Sequence, residues 1–398
     1  MPNRAAWAEI NLGALAHNYR EIRSRIAKEA KLCAVVKADA YGHGAVAVAR
    51  VALDEGAEYL AVATLSEALE LRAAGFNDLS MIKAAGIGVA MANAQEKVRQ
   101  AAGFTTPLLI LGLVEPESAR EVVDGNITQT VCRMDLVEAL SKEAVRQGKT
   151  VKVHLTIETG MGRIGVHPKD AAETAKKIAA LPNVELEGVF SHFALADIPD
   201  KTFTKNQVKL FQEACSAIEA AGIQIPIKHI AESAAILEIP DVHFDMVRAG
   251  IIQYGLWPSD EVTRPIDLRQ CMKFCARIVY VKTIQPGESV GYGRKFIAER
   301  ETRIATLPVG YADGYIRAYA GGTVEVCGKR APIAGRVCMD QLMADVSAVP
   351  EARTGSPVTL LGRDGEACIT LEELAERSGR FHYEILCCLN QRVPRIDS

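Results

Sequence analysis

The sequence predicts an N-terminal (β/α)8 barrel of the TIM type followed by a mostly β C-terminal domain. Three observations predict it. Over the first two thirds of the 398 residues, short apolar β-rich runs alternate with longer amphipathic ones, the pattern of a parallel sheet with helical crossovers. Eight such units fill that stretch, which fits a closed barrel better than an open sheet. Beyond about residue 270 the helical period is lost, and short strand-like runs separated by Gly, Pro and Asp take over, as in a β domain.

In chain order the eight runs are LCAVV (32–36), YLAVA (59–63), LLIL (108–111), ITQTV (127–131), VKVHLTI (151–157), LEGVFS (186–191), IKHIA (227–231) and FDMVR (244–248). ITQTV is the least apolar of them. Segments such as SEALELRAAG and DAAETAKKIAAL lie between, with apolar residues at i, i+3 and i+4, the spacing of a helix with one buried face. The division expected is a barrel over 1–269, interrupted by an insertion at 77–105, and a β domain over 270–398 built from runs such as ARIVYVKTI, ETRIATLPV, TVEVCG and PVTLLG.

Composition narrows the function classes. Lys+Arg total 46 and Asp+Glu 49, a net charge of −3, so no excess cationic field draws nucleic acid or an anionic membrane. Apolar residues make up 49%, which argues against disorder. The longest uncharged stretches fall short of the ~18 residues a membrane span needs, and MPNRAAWAEI lacks the apolar core of a signal peptide. Ten cysteines show no zinc-like spacing. Reduced thiols in a cytoplasmic protein, with no metal site, are the expectation.

The segment LCAVVKADAYGHG (32–44) runs a buried strand into Lys37 and a Gly-rich turn. Side chains at the C-terminal ends of barrel strands face the active site, and a lysine there suits a Schiff-base amine. Taken alone, Lys37 reads equally well as a strand-end side chain reaching solvent. Further segments stand in order: TGMGRIG (159–165), SHF (191–193), ESAA (232–235), VRAGIIQYG (247–255), GYG (291–293), PVGYADGY (308–315), GRVCMDQ (335–341) and RVPR (392–395). Singly, Ser233 reads as a helix N-cap, Arg248 as a salt-bridge former, His192 as a core histidine and Tyr292 as a packed tyrosine.

Together with the lysine segment, these motifs resemble the alanine racemase family across nearly the whole chain outside 77–105. The resemblance implies a barrel plus β domain, a homodimer with shared active sites, and bound pyridoxal 5'-phosphate. It places the Schiff base on Lys37 and the phosphate on Tyr41, Ser233 and the amides of Gly250 and Ile251. Hydroxyls and oriented N–H groups meet a dianion well without bulk positive charge. Arg248 matches the arginine facing the pyridine nitrogen, which a fixed cation keeps unprotonated. His192 matches the histidine beside the ring, linking Arg248 to the catalytic tyrosine. Racemisation removes a proton from one face and returns it to the other, so two bases are needed. The resemblance makes them Lys37 and Tyr292, the latter from the partner subunit. Arg163 and the amide of Met339 match the substrate-carboxylate pair, and Asp197, Tyr311, Arg317 and Arg336 match the entrance. The implied role is L-alanine to D-alanine conversion, which supplies a cell-wall precursor.

Three positions depart from the family pattern. Thr156 stands where a carbamylated lysine often braces the substrate arginine. Gln391 replaces a tyrosine that narrows the pocket. Glu232 replaces a common Asn before the phosphate serine, and a carboxylate there repels phosphate unless it points away or pairs. These changes suit a roomier site that accepts serine or larger amino acids. A fold-related amino-acid decarboxylase would lack GYG and GRVCMD, and a pyridoxal-phosphate carrier would lack the β domain.

Overall fold

A computed structural model describes residues 4–76, 106–365 and 367–398; the insertion expected at 77–105 lies outside them. Two compact units emerge: Leu15–Ala40 with Ala45–Arg269, and Met1–Ala14 with Tyr41–Gly44 and Gln270–Ser398.

β1 (Ala6–Ile10) opens the chain and belongs to the second unit. The first unit is an almost closed barrel of eight parallel strands: β2 (Lys31–Val35), β3 (Tyr59–Val62), β4 (Leu108–Ile110), β5 (Thr128–Val131), β6 (Val151–Thr156), β7 (Val184–Phe190), β8 (Ile227–His229) and β9 (Met246–Ala249). Each of the eight apolar runs supplies one strand. β9 pairs with β2, Lys31 opposite Met246. At the β8–β9 seam, Asp245 N–H reaches Lys228 O at 3.1 Å and Arg248 N–H reaches Ala231 O at 3.0 Å.

The strands are continuous buried runs because crossover helices cover them. Helix Ala171–Ala179 buries Ala171, Ala175 and Ile178, at the i, i+4, i+7 spacing of one face. Helix Leu65–Ala73 starts in a capping box: Thr64 accepts from Glu67 N–H while the Glu67 carboxylate accepts from Thr64 N–H. Its Arg72 is buried and donates to four carbonyls, those of Phe76, Thr106, Gly125 and Asn126. That guanidinium ties together the two described ends flanking 77–105. Among the described residues, no helix is long and apolar enough to cross a membrane.

The second unit is mostly β. Its strands are β1, β10 (Met272–Arg277), β11 (Tyr280–Ile284), β12 (Ser289–Val290), β13 (Phe296–Ile297), β14 (Thr302–Leu307), β15 (Thr323–Val326), β16 (Lys329–Pro332), β17 (Leu342–Asp345), β18 (Pro357–Asp364), β19 (Ala367–Ile369) and β20 (Arg395–Asp397). A large sheet runs β16-β15-β18-β10-β1-β20, with β19 on β18; a second runs β11-β14-β17; β12 and β13 form a hairpin. The run ARIVYVKTI therefore supplies strands to two sheets. The chain changes sheet at Ile278 and Val279, whose N–H groups bond Ser356 O and Thr306 O. Two helices, Leu371–Ser378 and His382–Cys388, lie near the C-terminus.

Candidate active site

Lys37 follows β2 immediately beyond Val36 and is half-buried. The next four residues, Ala38, Asp39, Ala40 and Tyr41, have φ of 52°, 52°, 52° and 54°. A left-handed turn of L residues costs roughly 1–2 kcal/mol per residue, so its surroundings must hold it. Ala38 N–H donates to Glu67 Oε1 at 2.6 Å, Ala40 N–H to Val36 O at 2.9 Å, and Ala45 N–H to Asp39 Oδ1 at 2.7 Å. Glu67 thus caps its own helix and fixes the turn behind Lys37. Its part was not readable from the sequence, because the two segments are 30 residues apart.

Arg248 on β9 is 3% exposed. Its Nη1 donates to His229 Nδ1 at 2.6 Å; its Nη2 donates to Ser191 O at 2.8 Å, Ile230 O at 3.1 Å and His192 Nδ1 at 3.2 Å. The guanidinium also lies 5.3 Å from the Phe190 ring centre. Burial pulls Arg248 down to about 10, so it remains a cation at neutral pH. Arginine has no acceptor; the bond at 3.2 Å therefore makes Nδ1 of His192 the bare nitrogen and puts its proton on Nε2. Burial, with the charges of Arg248, Arg163 and Lys37, holds His192 well below the usual histidine range. His229, buried beside Arg248, is likewise held well below it.

Ser233 opens the short helix Ser233–Glu238, and its Oγ accepts from Gly250 N–H at 3.0 Å. Gly250 and Ile251 begin the turn after β9. Glu232 is the N-cap of that helix; its oxygens accept from Ala234 N–H at 2.8 Å and Ala235 N–H at 3.1 Å. The carboxylate pairs with its own helix, which answers the repulsion foreseen at this position. Thr156 is buried at the end of β6. The Arg163 loop is braced through its backbone: Glu158 accepts from the N–H groups of Gly160 and Arg163, and Thr159 Oγ1 meets Ser191 Oγ at 2.7 Å. Asp197 O accepts from Ser259 Oγ at 3.0 Å.

Tyr41, Tyr292, Tyr311, Arg317, Arg336 and Met339 belong to the second unit. Tyr292 is 71% exposed, on a turn between Gly291 and Gly293, both at φ 72°. The Arg336 guanidinium packs against that turn, 3.3 Å from where a Cβ on Gly293 would stand. Tyr311 N–H bonds Cys338 O at 3.1 Å and Ala312 N–H bonds Met339 O at 3.0 Å. A Cβ on Gly310 would sit 2.3 Å from those carbonyls, so this approach requires glycine. Arg392 Nη2 meets Asp340 Oδ1 at 2.7 Å, tying the exposed Gln391 segment to the Met339 loop. Arg317 starts a turn of its own at Arg317–Tyr319.

The depressed histidines set an expected pH response. Unfolded histidines take up protons below about pH 6.5, whereas folded His192 and His229 do not. The unfolded state then binds more protons, so stability falls with acid by up to ~1.4 kcal/mol per histidine per pH unit. Glu232, pushed up by burial, works the other way in the carboxylate range. Thermal midpoints of the cofactor-free chain should drop between pH 7 and pH 5.5; a flat profile would show both imidazoles taking up protons in the fold as they do in the unfolded chain.

Comparison with known proteins agrees over the full chain. The family model described as "Alanine racemase, N-terminal domain" matches residues 10–83 and 78–258, and "Alanine racemase, C-terminal domain" matches 271–397. The chain is 45% identical over 395 residues to the alanine racemase of Desulfovibrio desulfuricans, covering 99% of this chain and 98% of that protein. It is 41% identical to that of Clostridium tetani, over 99% and 95%. The solved alanine racemase of Clostridium difficile superposes with a TM-score of 0.89 at 35% identity, covering 100% of this chain and 97% of that one. A histidine racemase from Leuconostoc mesenteroides superposes with a TM-score of 0.85 at 27% identity, covering 100% and 99%.

Proposed function

The chain belongs to the alanine racemase family, and from that premise we propose that it racemises amino acids, L-alanine to D-alanine first, with pyridoxal 5'-phosphate and two bases. The observation that carries this reading is Arg248. Its buried guanidinium is held by two imidazole nitrogens and two carbonyls, on one of the barrel strands whose ends bear Lys37, His192 and Ser233.

These residues fit the cofactor. Arg248 offers only donors, which suits an unprotonated ring nitrogen. The Ser233 hydroxyl and the Gly250 amide already converge, Glu232 is turned into its own helix, and Ile251 and Tyr41 complete the phosphate set. When bound, pyridoxal phosphate supplies an electron sink for the negative charge left as the α-proton departs. Lys37 Nζ holds or returns that proton on one face, and Tyr292 Oη of the partner subunit does so on the other. Arg163 and the Met339 amide orient the substrate carboxylate, while Asp197, Tyr311, Arg317 and Arg336 line the approach. We place the domain boundary near residues 269 and 270 and the protein in the cytoplasm, where ten free cysteines stay reduced. Its D-alanine would feed cell-wall precursors. The test is loss of optical rotation from L-alanine without release of carbon dioxide; carbon dioxide release would assign a decarboxylase instead.

A wider substrate range is supported by Gln391, exposed where the family's tyrosine narrows the pocket. A methylene-sized difference in fit is worth about 1–3 kcal/mol of discrimination. That puts serine or another larger amino acid within ~10–100-fold of alanine. Gln391→Tyr is expected to lower kcat/KM for the larger substrate more than for alanine; an equal fall in both would remove Gln391 from substrate choice.

A further inference from the structure

The interior of a barrel of this kind is ordinarily filled by Val, Ile and Leu. Here it carries a line of polar side chains from β6, β7, β8 and β9; β6 and β8 are not neighbours, so the two histidines they carry can meet only inside. Arg248 of β9 reaches His229 of β8 at 2.6 Å. His229 Nε2 reaches His154 Nδ1 of β6 at 2.8 Å. His154 Nε2 reaches Glu187 Oε2 of β7 at 3.2 Å, and Glu187 Oε1 accepts from Lys152 Nζ of β6 at 2.6 Å. Arg248, His229, His154 and Glu187 are buried, while Lys152 is half-exposed at the start of β6. Thr128 Oγ1 also meets Glu187 Oε2, at 3.4 Å. Room for the line is built in: a Cβ on Gly188 would stand 2.7 Å from the His154 ring.

Donor logic fixes every proton in this line. Arginine has no acceptor, so His229 Nδ1 must be bare and its proton must sit on Nε2. That proton points at His154 Nδ1, which must also be bare, so His154 carries its proton on Nε2 and gives it to Glu187. Lysine is likewise only a donor. All donors therefore run toward one group from both ends. An imidazolium at either histidine would set two N–H groups against each other.

We propose that Glu187 is the positioning residue of this site: its carboxylate is the common acceptor that fixes both histidine tautomers and so holds Arg248 in place for the cofactor ring. It touches neither substrate nor cofactor and acts only through His154, His229 and Arg248. Burial pushes the Glu187 carboxyl up, but its bonds to His154 and Lys152 and the Lys152 charge outweigh this and hold it below the usual carboxylate range, so the acceptor is ionised throughout the working range. The role rests on the functional reading above, but the proton arrangement does not.

Ring nitrogen NMR on the cofactor-free chain tests the arrangement directly, with His154→Phe and His229→Phe assigning the signals. Both histidines are expected neutral, with bare Nδ1 and protonated Nε2. A protonated Nδ1 on either overturns the proposal, and this holds whether or not the protein racemises anything. Glu187→Gln then tests the role. An amide has one acceptor end, and Lys152 claims it, leaving an N–H₂ donor facing His154 Nε2. The donors then collide at Arg248 and His229. Cofactor affinity and kcat/KM are expected to fall roughly 10- to 100-fold, as for other residues that orient a site from behind. Adding Lys152→Met frees the amide oxygen to face His154, so the double variant should regain the wild-type ring spectrum and most of the lost cofactor affinity. If the double variant stays as impaired as the single one, Glu187 serves packing alone and the proposal fails. If Glu187→Gln does not fold, the wild-type spectrum and the double variant still decide.

Discussion

Replacing Lys37 by alanine is expected to abolish racemisation and, with it, the visible absorbance of the cofactor-loaded protein. Two losses coincide in this one change. The amine that would link the cofactor disappears, and so does one of the two bases. A general base alone is typically worth 10²–10⁴-fold, and the covalent anchorage adds to that. The surroundings argue that the effect is local to the chemistry. Lys37 begins a left-handed turn held through backbone and carboxylate bonds by Glu67, Asp39 and Val36, none of which uses the lysine ammonium. Lys37→Ala should therefore still fold in the absence of cofactor. Borohydride reduction of the loaded wild type, followed by peptide mapping, should recover the pyridoxyl group on the peptide containing Lys37. Label on another lysine, or retained turnover in Lys37→Ala, removes Lys37 from the role.

Much of this architecture is legible in the sequence. The eight barrel strands could be read one by one, because strands covered on both faces are continuous apolar runs, and even ITQTV forms β5. The strand Ala6–Ile10 could not. AWAEI looks like a short isolated run, and its partners are Met272–Arg277 and Arg395–Asp397, hundreds of residues away, where no local period points. The candidate site was read from ordered motifs rather than from a period. Lys37 stands out at a strand end, and the other candidates follow from ordered motifs. The Lys152–Glu187–His154–His229 line was hidden because VKVHLTI, LEGVFS and IKHIA read as ordinary apolar strands. Their polar members meet only once the barrel closes. Glu232 was a difficulty in the sequence because its direction was unknown; the helix it caps resolves it. Near Thr156, Glu158 braces the Arg163 loop through main-chain N–H groups that no residue pattern displays.

Mixing two inactive variants should restore activity, and this is the sharpest test of where the second base resides. Tyr292→Phe removes the phenol hydroxyl while keeping the ring, so a loss on the order of 10²–10⁴-fold is expected for an acid–base group. Tyr292 is 71% exposed on its turn, held between two glycines at φ 72° with Arg336 packed against it. A polar aromatic presented in this way is open to contact from outside its own chain. If each site combines Lys37 of one subunit with the partner subunit's Tyr292, a hybrid of Lys37→Ala and Tyr292→Phe has one site lacking both bases and one site keeping both. Random exchange makes half the dimers hybrid, each with one intact site, so about a quarter of wild-type specific activity should return. The two parents alone stay inactive, which removes any contribution from unmixed dimers. Were each site built within one subunit, every site in the hybrid would lack one base, and no activity would return however complete the exchange. Recovery, with exchange verified by mass-tagged subunits, places the second base across the interface; none, with the same verification, places both bases in one chain.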